Sequence, residues 1–110
     1  MKNVCPKCNS FILRPTCAFC LTDEIEAWLE RKKISIVPKF KDQMVPLLES
    51  IKKTEKQRCS FCFMETAYIT CLYCFTKHIY EWLEITDKEL SKEFVGFFKE
   101  FLKRPTRVYA

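Results

Sequence analysis

Four Cys-x-x-Cys pairs constrain this chain more than any other feature of its sequence. The pairs begin at Cys5, Cys17, Cys59 and Cys71, and the last two repeat the first two at an offset of 54 residues. Within each copy, eight residues separate the two pairs. Because the 8 cysteines of the chain all belong to these pairs, we expect ligand sites that leave no thiol over.

The duplication extends well beyond the cysteines. Apolar residues recur at the same offset, and the matched positions are Ile25 with Ile79, Trp28 with Trp82, Leu29 with Leu83, Ile36 with Leu90, Phe40 with Phe94, Met44 with Phe98, Leu47 with Phe101, and Leu48 with Leu102. We therefore predict two homologous modules, residues 1–54 and 55–110. Each is near the lower size limit for a core that folds unaided, so each needs disulfides or a metal.

The start of the chain favours a metal over disulfides. The first eight residues contain no apolar segment typical of a secretory signal, and no run approaches the roughly 18 apolar residues of a membrane span. We therefore expect an intracellular, cytoplasmic protein with reduced thiols. Disulfides in an intracellular protein of a hyperthermophile are the open alternative.

Thiolate ligands in this pattern predict zinc. We expect one tetrahedral site per copy, with two sulfurs from a knuckle and two from the start of a helix, and therefore two Zn²⁺ ions per chain. The expected ligands are Cys5, Cys8, Cys17 and Cys20 in the first copy, and Cys59, Cys62, Cys71 and Cys74 in the second. A shell closed by four protein ligands is structural, because it leaves no position for a substrate.

The order of knuckle, hairpin and ligand-bearing helix resembles the treble-clef class of zinc fingers, over residues 5–33 and 59–85. The resemblance implies a partner that is a nucleic acid or another protein. The eight-residue gap between the pairs is short for that class. Asn9 follows the first pair and tolerates the positive φ that a knuckle often requires there, whereas the second copy departs from this pattern with Phe63.

The predicted fold is α+β and mainly α, with a short β-hairpin or zinc knuckle and two helices in each module. We place the hairpins between the cysteine pairs, in residues 9–16 and 63–70. The first helix of each copy begins at the second cysteine pair, where free N–H groups and the helix dipole stabilise thiolates.

The second helices have recognisable ends. A capping box predicts Thr86 as the N-cap of the last helix and Glu89 at its third position, and Pro105 predicts its end near Lys103. In the first copy, Pro38 fits a helix start, and Pro46 should kink or split the helix.

Three other interpretations concern the cysteine pairs or the single histidine. Four thiolates also bind iron, as in electron carriers of the rubredoxin type. A Cys-x-x-Cys pair that starts a helix is also typical of redox dithiols, but here a second pair lies close enough to complete a metal site. His78, the only histidine, is a conceivable ligand or base, yet a solvent-facing role is the simpler interpretation. We find no catalytic constellation and predict that the protein is not an enzyme.

Charge weakly favours a nucleic acid as the partner. The formal net charge is +5, and it belongs to residues 1–58, with 12 basic and 7 acidic residues. Two zinc tetrathiolates would together reduce the net charge of the chain to about +1. The candidate phosphate-binding residues are Lys32, Lys33, Lys52, Lys53, Lys56 and Arg58. The alternative is a protein-interaction adaptor or homodimer that uses the Phe-rich second helix, where Phe97 lies beside the main apolar stripe.

Overall fold

The computed structural model describes residue 5, residues 15–50 and residues 56–102. These residues are mainly helical, as predicted, and include short β-strands. In chain order the elements are β1 (Thr16–Cys17), α1 (Ala18–Lys32), a 3₁₀ turn (Ile34–Ile36), α2 (Val37–Ser50), β2 (Gln57–Arg58), β3 (Glu65–Thr66), β4 (Ile69–Thr70), α3 (Leu72–Thr86) and α4 (Lys88–Phe97). None of the described helices combines the length and apolar character that a membrane crossing requires.

Helices α1 and α3 correspond to each other at the 54-residue offset. Both contain 15 residues and begin directly after a cysteine, Cys17 and Cys71. Both also end in the same way. The N–H of Lys33 donates to Leu29 O at 2.8 Å, and the N–H of Asp87 donates to Leu83 O at 2.7 Å. The two helices thus start after equivalent cysteines and end with equivalent backbone hydrogen bonds.

The buried faces of these helices are the predicted ones, except that Trp82 of α3 is only half-buried. They comprise Leu21, Ile25, Trp28 and Leu29 in α1, and Phe75, Ile79 and Leu83 in α3. The apolar spacing of i, i+4, i+7 and i+8 places such residues on one side of a helix. Each fully buried large apolar side chain contributes about 1.5–3 kcal/mol relative to exposure, so this face, and not helix propensity, holds the helices in place.

Each first helix packs against the second helix of its own copy, α1 against α2 and α3 against α4. Buried positions in the second helices and directly beside them again match at the 54-residue offset, and they are Ile36, Phe40, Met44, Leu90, Phe94 and Phe98. Of these, Ile36 lies in the 3₁₀ turn before α2, and Phe98 follows the last residue of α4. The Phe-rich stripe predicted for α4 is therefore mostly core, although Phe97 beside it is 55% exposed.

Two predicted helix boundaries were wrong, and Pro46 does not split the second helix of the first copy. Helix α2 continues through Pro46 to Ser50, and the proline side chain is exposed; the kink expected at Pro46 stays a prediction. Thr86 remains in α3, and Asp87 is the N-cap of α4. Helix α4 ends at Phe97, and hydrogen-bonded turns replace it up to Leu102.

A β-hairpin is present, but not between the cysteine pairs. Strands β2 and β3 pair antiparallel, with Gln57 opposite Thr66 and Arg58 opposite Glu65. The hairpin therefore encloses the first cysteine pair of the second copy, and this pair occupies its tip. Strand β1 pairs with β4 in a separate two-stranded sheet. The hairpin predicted in residues 9–16 lies largely outside the described residues.

The chain divides into two compact units whose boundaries differ from the predicted division at residues 54 and 55. The central unit is Arg14–Ile69, and the terminal unit combines Met1–Leu13 with Thr70–Ala110. The central unit thus contains the helices of the first copy and the cysteine hairpin of the second.

Candidate metal centres

The described cysteines form two clusters whose sulfur atoms could hold a metal ion. The first centre consists of Cys17, Cys20, Cys59 and Cys62, and the second centre contains Cys5, Cys71 and Cys74. Within each cluster the Sγ atoms all lie within 4.8 Å of one another. Cys8, the remaining predicted ligand, lies outside the described residues.

The cysteine pairs are combined differently from the prediction. We expected each copy to bind its ion with its own two pairs. Instead, the first centre joins the second pair of the first copy to the first pair of the second copy. The second centre joins Cys5 of the first copy to Cys71 and Cys74 of the second. Each centre is therefore shared between the two copies and lies inside one compact unit.

Hydrogen bonds between residues far apart in sequence bring the pairs of the first centre together. The N–H of Cys17 donates to Cys59 Sγ at 3.4 Å. The N–H of Ser60 donates to Pro15 O at 2.7 Å, and the N–H of Ala18 donates to Tyr68 O at 3.0 Å. These bonds attach the hairpin of the second copy directly to the start of α1.

The sulfur spacing fits a tetrahedral ion. In the first centre, the Sγ atoms of Cys17 and Cys62 are 3.9 Å apart, and those of Cys20 and Cys59 are 3.8 Å apart. A tetrahedron with Zn–S bonds of about 2.3 Å has sulfur–sulfur edges of about 3.8 Å. In the second centre, the Sγ atoms of Cys5 and Cys74 are 3.7 Å apart. This contact is the 54-residue equivalent of the one between Cys59 and Cys20.

The tip of the hairpin has the backbone shape of a zinc knuckle. The N–H of Phe63 donates to Cys59 O, and the N–H of Cys59 donates to Met64 O, both at 3.0 Å. Phe63 has φ of 60°, so the position that Asn9 occupies in the first copy adopts the positive φ expected of a knuckle, even with phenylalanine there. The N–H of Phe61 donates to Cys59 Sγ at 3.4 Å.

Backbone N–H groups lower the pKa of the Cys59 thiol. Burial by itself raises the pKa of Cys59. The backbone N–H groups of Cys62, Cys17 and Phe61 stabilise its thiolate more strongly, and the net pKa is about 6. Cys59 is therefore mostly ionised at neutral pH, because backbone N–H groups stabilise its thiolate, the form that binds a metal.

Two other thiols of the first centre, those of Cys20 and Cys17, have raised pKa values. Burial raises the pKa of Cys20, and the neighbouring thiols of Cys17, Cys62 and Cys59 raise it further. Burial is also the main cause of the raised pKa of Cys17. Negative charges this close together repel, and a divalent ion removes that repulsion. The donor set therefore fits a bound metal ion.

The surroundings of the first centre are closed on one side. Ile69, Cys17 and Cys59 form a buried cluster on which Phe61 and Cys20 also pack. Cys62 is exposed. Four sulfurs complete the ligand shell, and His78, which is exposed on α3, belongs to neither centre.

The predicted phosphate-binding residues fall on two elements of the central unit. Lys32 ends α1 and Lys33 follows it, while Lys56 precedes the hairpin and Arg58 lies in β2. All four are exposed. Lys52 and Lys53 lie outside the described residues.

An exposed apolar surface that the sequence patterns did not predict lies beside the first centre. Phe63 and Met64 at the hairpin tip are each 68% exposed. Phe19, next to Cys20, is exposed and lies edge-on to Tyr68, with ring centroids 5.6 Å apart. The signal that could have revealed it is the replacement of Asn9 by an aromatic residue in the second copy.

Comparison with protein-family models, with curated proteins and with solved structures finds no match for this chain. The chemistry of the two centres and of the surface around them is therefore the basis for a functional proposal.

Proposed function

We propose that this chain is a non-enzymatic zinc protein whose two centres hold a surface for recognising a macromolecule, with nucleic acid as the favoured partner. The observation that carries the zinc role is the first centre, where four sulfurs are spaced like the edges of a zinc tetrathiolate. A four-ligand shell leaves no coordination position for substrate, which supports a structural role. Reduced thiols fit the intracellular location expected from the sequence.

The second centre binds zinc in the same way in this proposal, with Cys8 as the fourth ligand. Cys8 is the 54-residue equivalent of Cys62, which completes the first centre. The equivalent sulfur contacts of 3.7 Å and 3.8 Å support a common geometry. This correspondence also supports an internal duplication of a treble-clef-like unit.

Native mass spectrometry of freshly purified protein tests the metal assignment. We expect two zinc ions per chain and no mass loss from disulfides. Iron in the centres would favour an electron carrier instead, and it would show as visible absorption, which zinc tetrathiolate lacks. A metal-free, disulfide-linked chain would refute the scaffold role.

Nucleic-acid binding is supported by the basic residues of the hairpin. Lys56 and Arg58 are exposed, and neither forms an ion pair with another residue in the part of the chain that the structure describes. Lys32 and Lys33 at the end of α1 add positive charge to the same unit. Such side chains bind phosphates and release counterions.

Net charge adds little to this proposal once the chain is grouped by folded units. The central unit has 10 basic and 8 acidic residues, and the terminal unit has 9 and 6. A zinc tetrathiolate adds two negative charges to each. Local basic residues, and not an overall positive field, therefore support phosphate binding.

Salt titration tests the partner class. Zinc-loaded protein is mixed with a labelled oligonucleotide, and log Kd is followed against log salt concentration. We expect steep weakening with salt, and we expect Lys56→Gln with Arg58→Gln to reduce the slope by about 0.7–0.9 per lost contact. Lys99→Gln, exposed in the terminal unit, is the matched control. Absence of binding at low salt would refute this partner.

A protein-interaction adaptor or homodimer is the second candidate. Phe97 and Val95 of α4 are 55% and 38% exposed, which is the observation that favours it. An apolar interface there would hold or tighten with added salt. Phe97→Ser would dissociate such a complex, and light scattering of the purified chain would detect a homodimer.

A further inference from the structure

Phe63 has a backbone conformation that phenylalanine does not favour. Its φ of 60° lies in the left-handed region, which Gly, Asn and Asp enter far more easily than bulky residues. The positive φ of Phe63 turns the chain back at the hairpin tip, where the carbonyl of the next residue, Met64, accepts the N–H of Cys59 at 3.0 Å. The first copy has Asn9 at the equivalent position, which is the residue that the turn itself would favour.

Burial does not explain the choice of phenylalanine either. The Phe63 side chain is 68% exposed, and so is that of Met64 beside it. A strained backbone and an apolar ring in water both disfavour this residue, which points to a role outside the fold.

Positive charge lies close to this ring on the same hairpin. Arg58 is directly opposite Glu65, so it is separated from the tip by only a few residues of strand, on the order of 10 Å. Lys56 is two residues further along and also exposed. The hairpin thus carries an exposed aromatic tip, and the cations of Arg58 and Lys56 beside it outnumber the one carboxylate of Glu65.

A second exposed ring is attached to the same centre. Phe19 precedes Cys20 in the chain, and Phe63 follows Cys62. The Sγ atoms of these two cysteines lie within 4.8 Å of each other. Tyr68 packs edge-on against Phe19 and leaves that ring exposed.

We propose that the hairpin tip binds single-stranded nucleic acid, with an unpaired base stacked on Phe63 and neighbouring phosphates bound by Arg58 and Lys56. This inference rests on the proposed nucleic-acid function and specifies the kind of strand. In a duplex, neighbouring base pairs cover the faces of each base, whereas a single strand offers a free face for an aromatic ring. Stacking without hydrogen bonds to base edges makes the recognition tolerant of sequence.

The test compares one oligonucleotide as a single strand and as a duplex of equal length, both bound to zinc-loaded full-length protein. We expect the single strand to bind more tightly. We expect Phe63→Asn to weaken single-strand binding about 5- to 150-fold, the range for loss of one stacked base. Its salt slope should match that of the wild type, because the phosphate contacts remain.

Two further variants separate stacking from general apolar contact. Phe63→Tyr keeps an aromatic ring and should bind like the wild type. Phe63→Leu keeps apolar area without the ring and should lose affinity as Phe63→Asn does. Ile85→Ser, which removes an 89% exposed side chain of the terminal unit, is the control and should change nothing. Zinc content and helical circular dichroism of every variant report on folding. If Phe63→Asn loses its metal, the comparison of Phe63→Tyr with Phe63→Leu tests the stacking on its own.

The outcomes distinguish this inference from the proposed function. If neither strand binds at low salt, the proposed function fails and the inference fails with it. If single strand and duplex bind equally, or if Phe63→Leu binds like the wild type, the stacking inference is overturned while nucleic-acid binding stands. A wild-type dimer that Phe63→Asn dissociates without any change in oligonucleotide affinity would also overturn it.

Discussion

At the scale of single residues, the residue type at position 63 reflects two requirements, one on the backbone and one on the side chain. The hairpin tip holds Phe63 at positive φ, directly before Met64, whose carbonyl accepts the N–H of Cys59. That conformation favours Asn or Gly. The phenylalanine found there adds an exposed ring at the cost of backbone strain.

Replacing Phe63 should therefore change stability in opposite directions. Phe63→Asn should stabilise the zinc-loaded protein by about 1 kcal/mol, because Asn relieves the left-handed strain. Phe63→Val should destabilise it by a similar amount or more, since β-branched residues are genuine outliers at positive φ. Thermal unfolding at a fixed excess of zinc measures both. Equal midpoints for the three proteins would contradict the strain.

At the scale of secondary-structure elements, one residue separates α3 from α4. Asp87 Oδ1 accepts the N–H of Leu90 at 3.1 Å and caps α4. The carboxylate also complements the positive end of that helix. Thr86, the predicted cap, still belongs to α3, because the backbone bond from Asp87 N–H to Leu83 O continues the helix to that point.

Substitutions at this junction should have unequal effects. Asp87→Ala should reduce the free energy of unfolding by about 0.5–2 kcal/mol, the usual cost of losing a side-chain N-cap. Thr86→Ala is the control, and it should be nearly neutral because Thr86 is an exposed helical residue. Chemical denaturation at constant zinc gives both values. A larger loss for Thr86→Ala would show that the cap lies one residue earlier.

At the scale of the whole molecule, each candidate metal centre combines cysteines from both halves of the sequence. The hairpin at Cys59 is attached to Pro15 and Cys17 by hydrogen bonds. Closing a site over such sequence distances costs chain entropy, and a bound metal ion would offset that cost.

Combined cysteine variants test whether each centre takes its ligands from both copies, because the number of bound metal ions differs between the two arrangements. Cys17→Ser with Cys20→Ser should lose one of two ions, and adding Cys59→Ser and Cys62→Ser should remove no more, because all four sulfurs share one centre. Combining the first pair of substitutions with Cys71→Ser and Cys74→Ser should remove both ions. Native mass spectrometry reads the counts directly. Loss of both ions from the variant with Cys17, Cys20, Cys59 and Cys62 all replaced would show instead that each copy binds its own ion.

Local patterns were enough to predict the helices and their buried faces. Ile25, Ile79 and their helical neighbours are buried where the apolar spacing placed them. The cap between α3 and α4 was harder to predict, because Thr86 and Asp87 are both good N-cap residues. Which of them caps α4 depends on the path of the chain between the two packed helices. The exposure of Phe63 and Phe19 was equally hidden, since an aromatic residue in a short cysteine-rich segment normally packs inside.

By itself, the sequence determined the kind of ligand, the mainly helical fold and the side of each helix that is buried. These properties follow from side-chain chemistry and from periodicity within one element. Only the tertiary structure decided which cysteine pairs share a centre. The two copies present equivalent pairs, and a tetrahedral ion accepts either combination. The choice therefore falls to the long-range bonds of Cys17, Ala18 and Ser60, which bring the second copy's hairpin onto the first copy's helix.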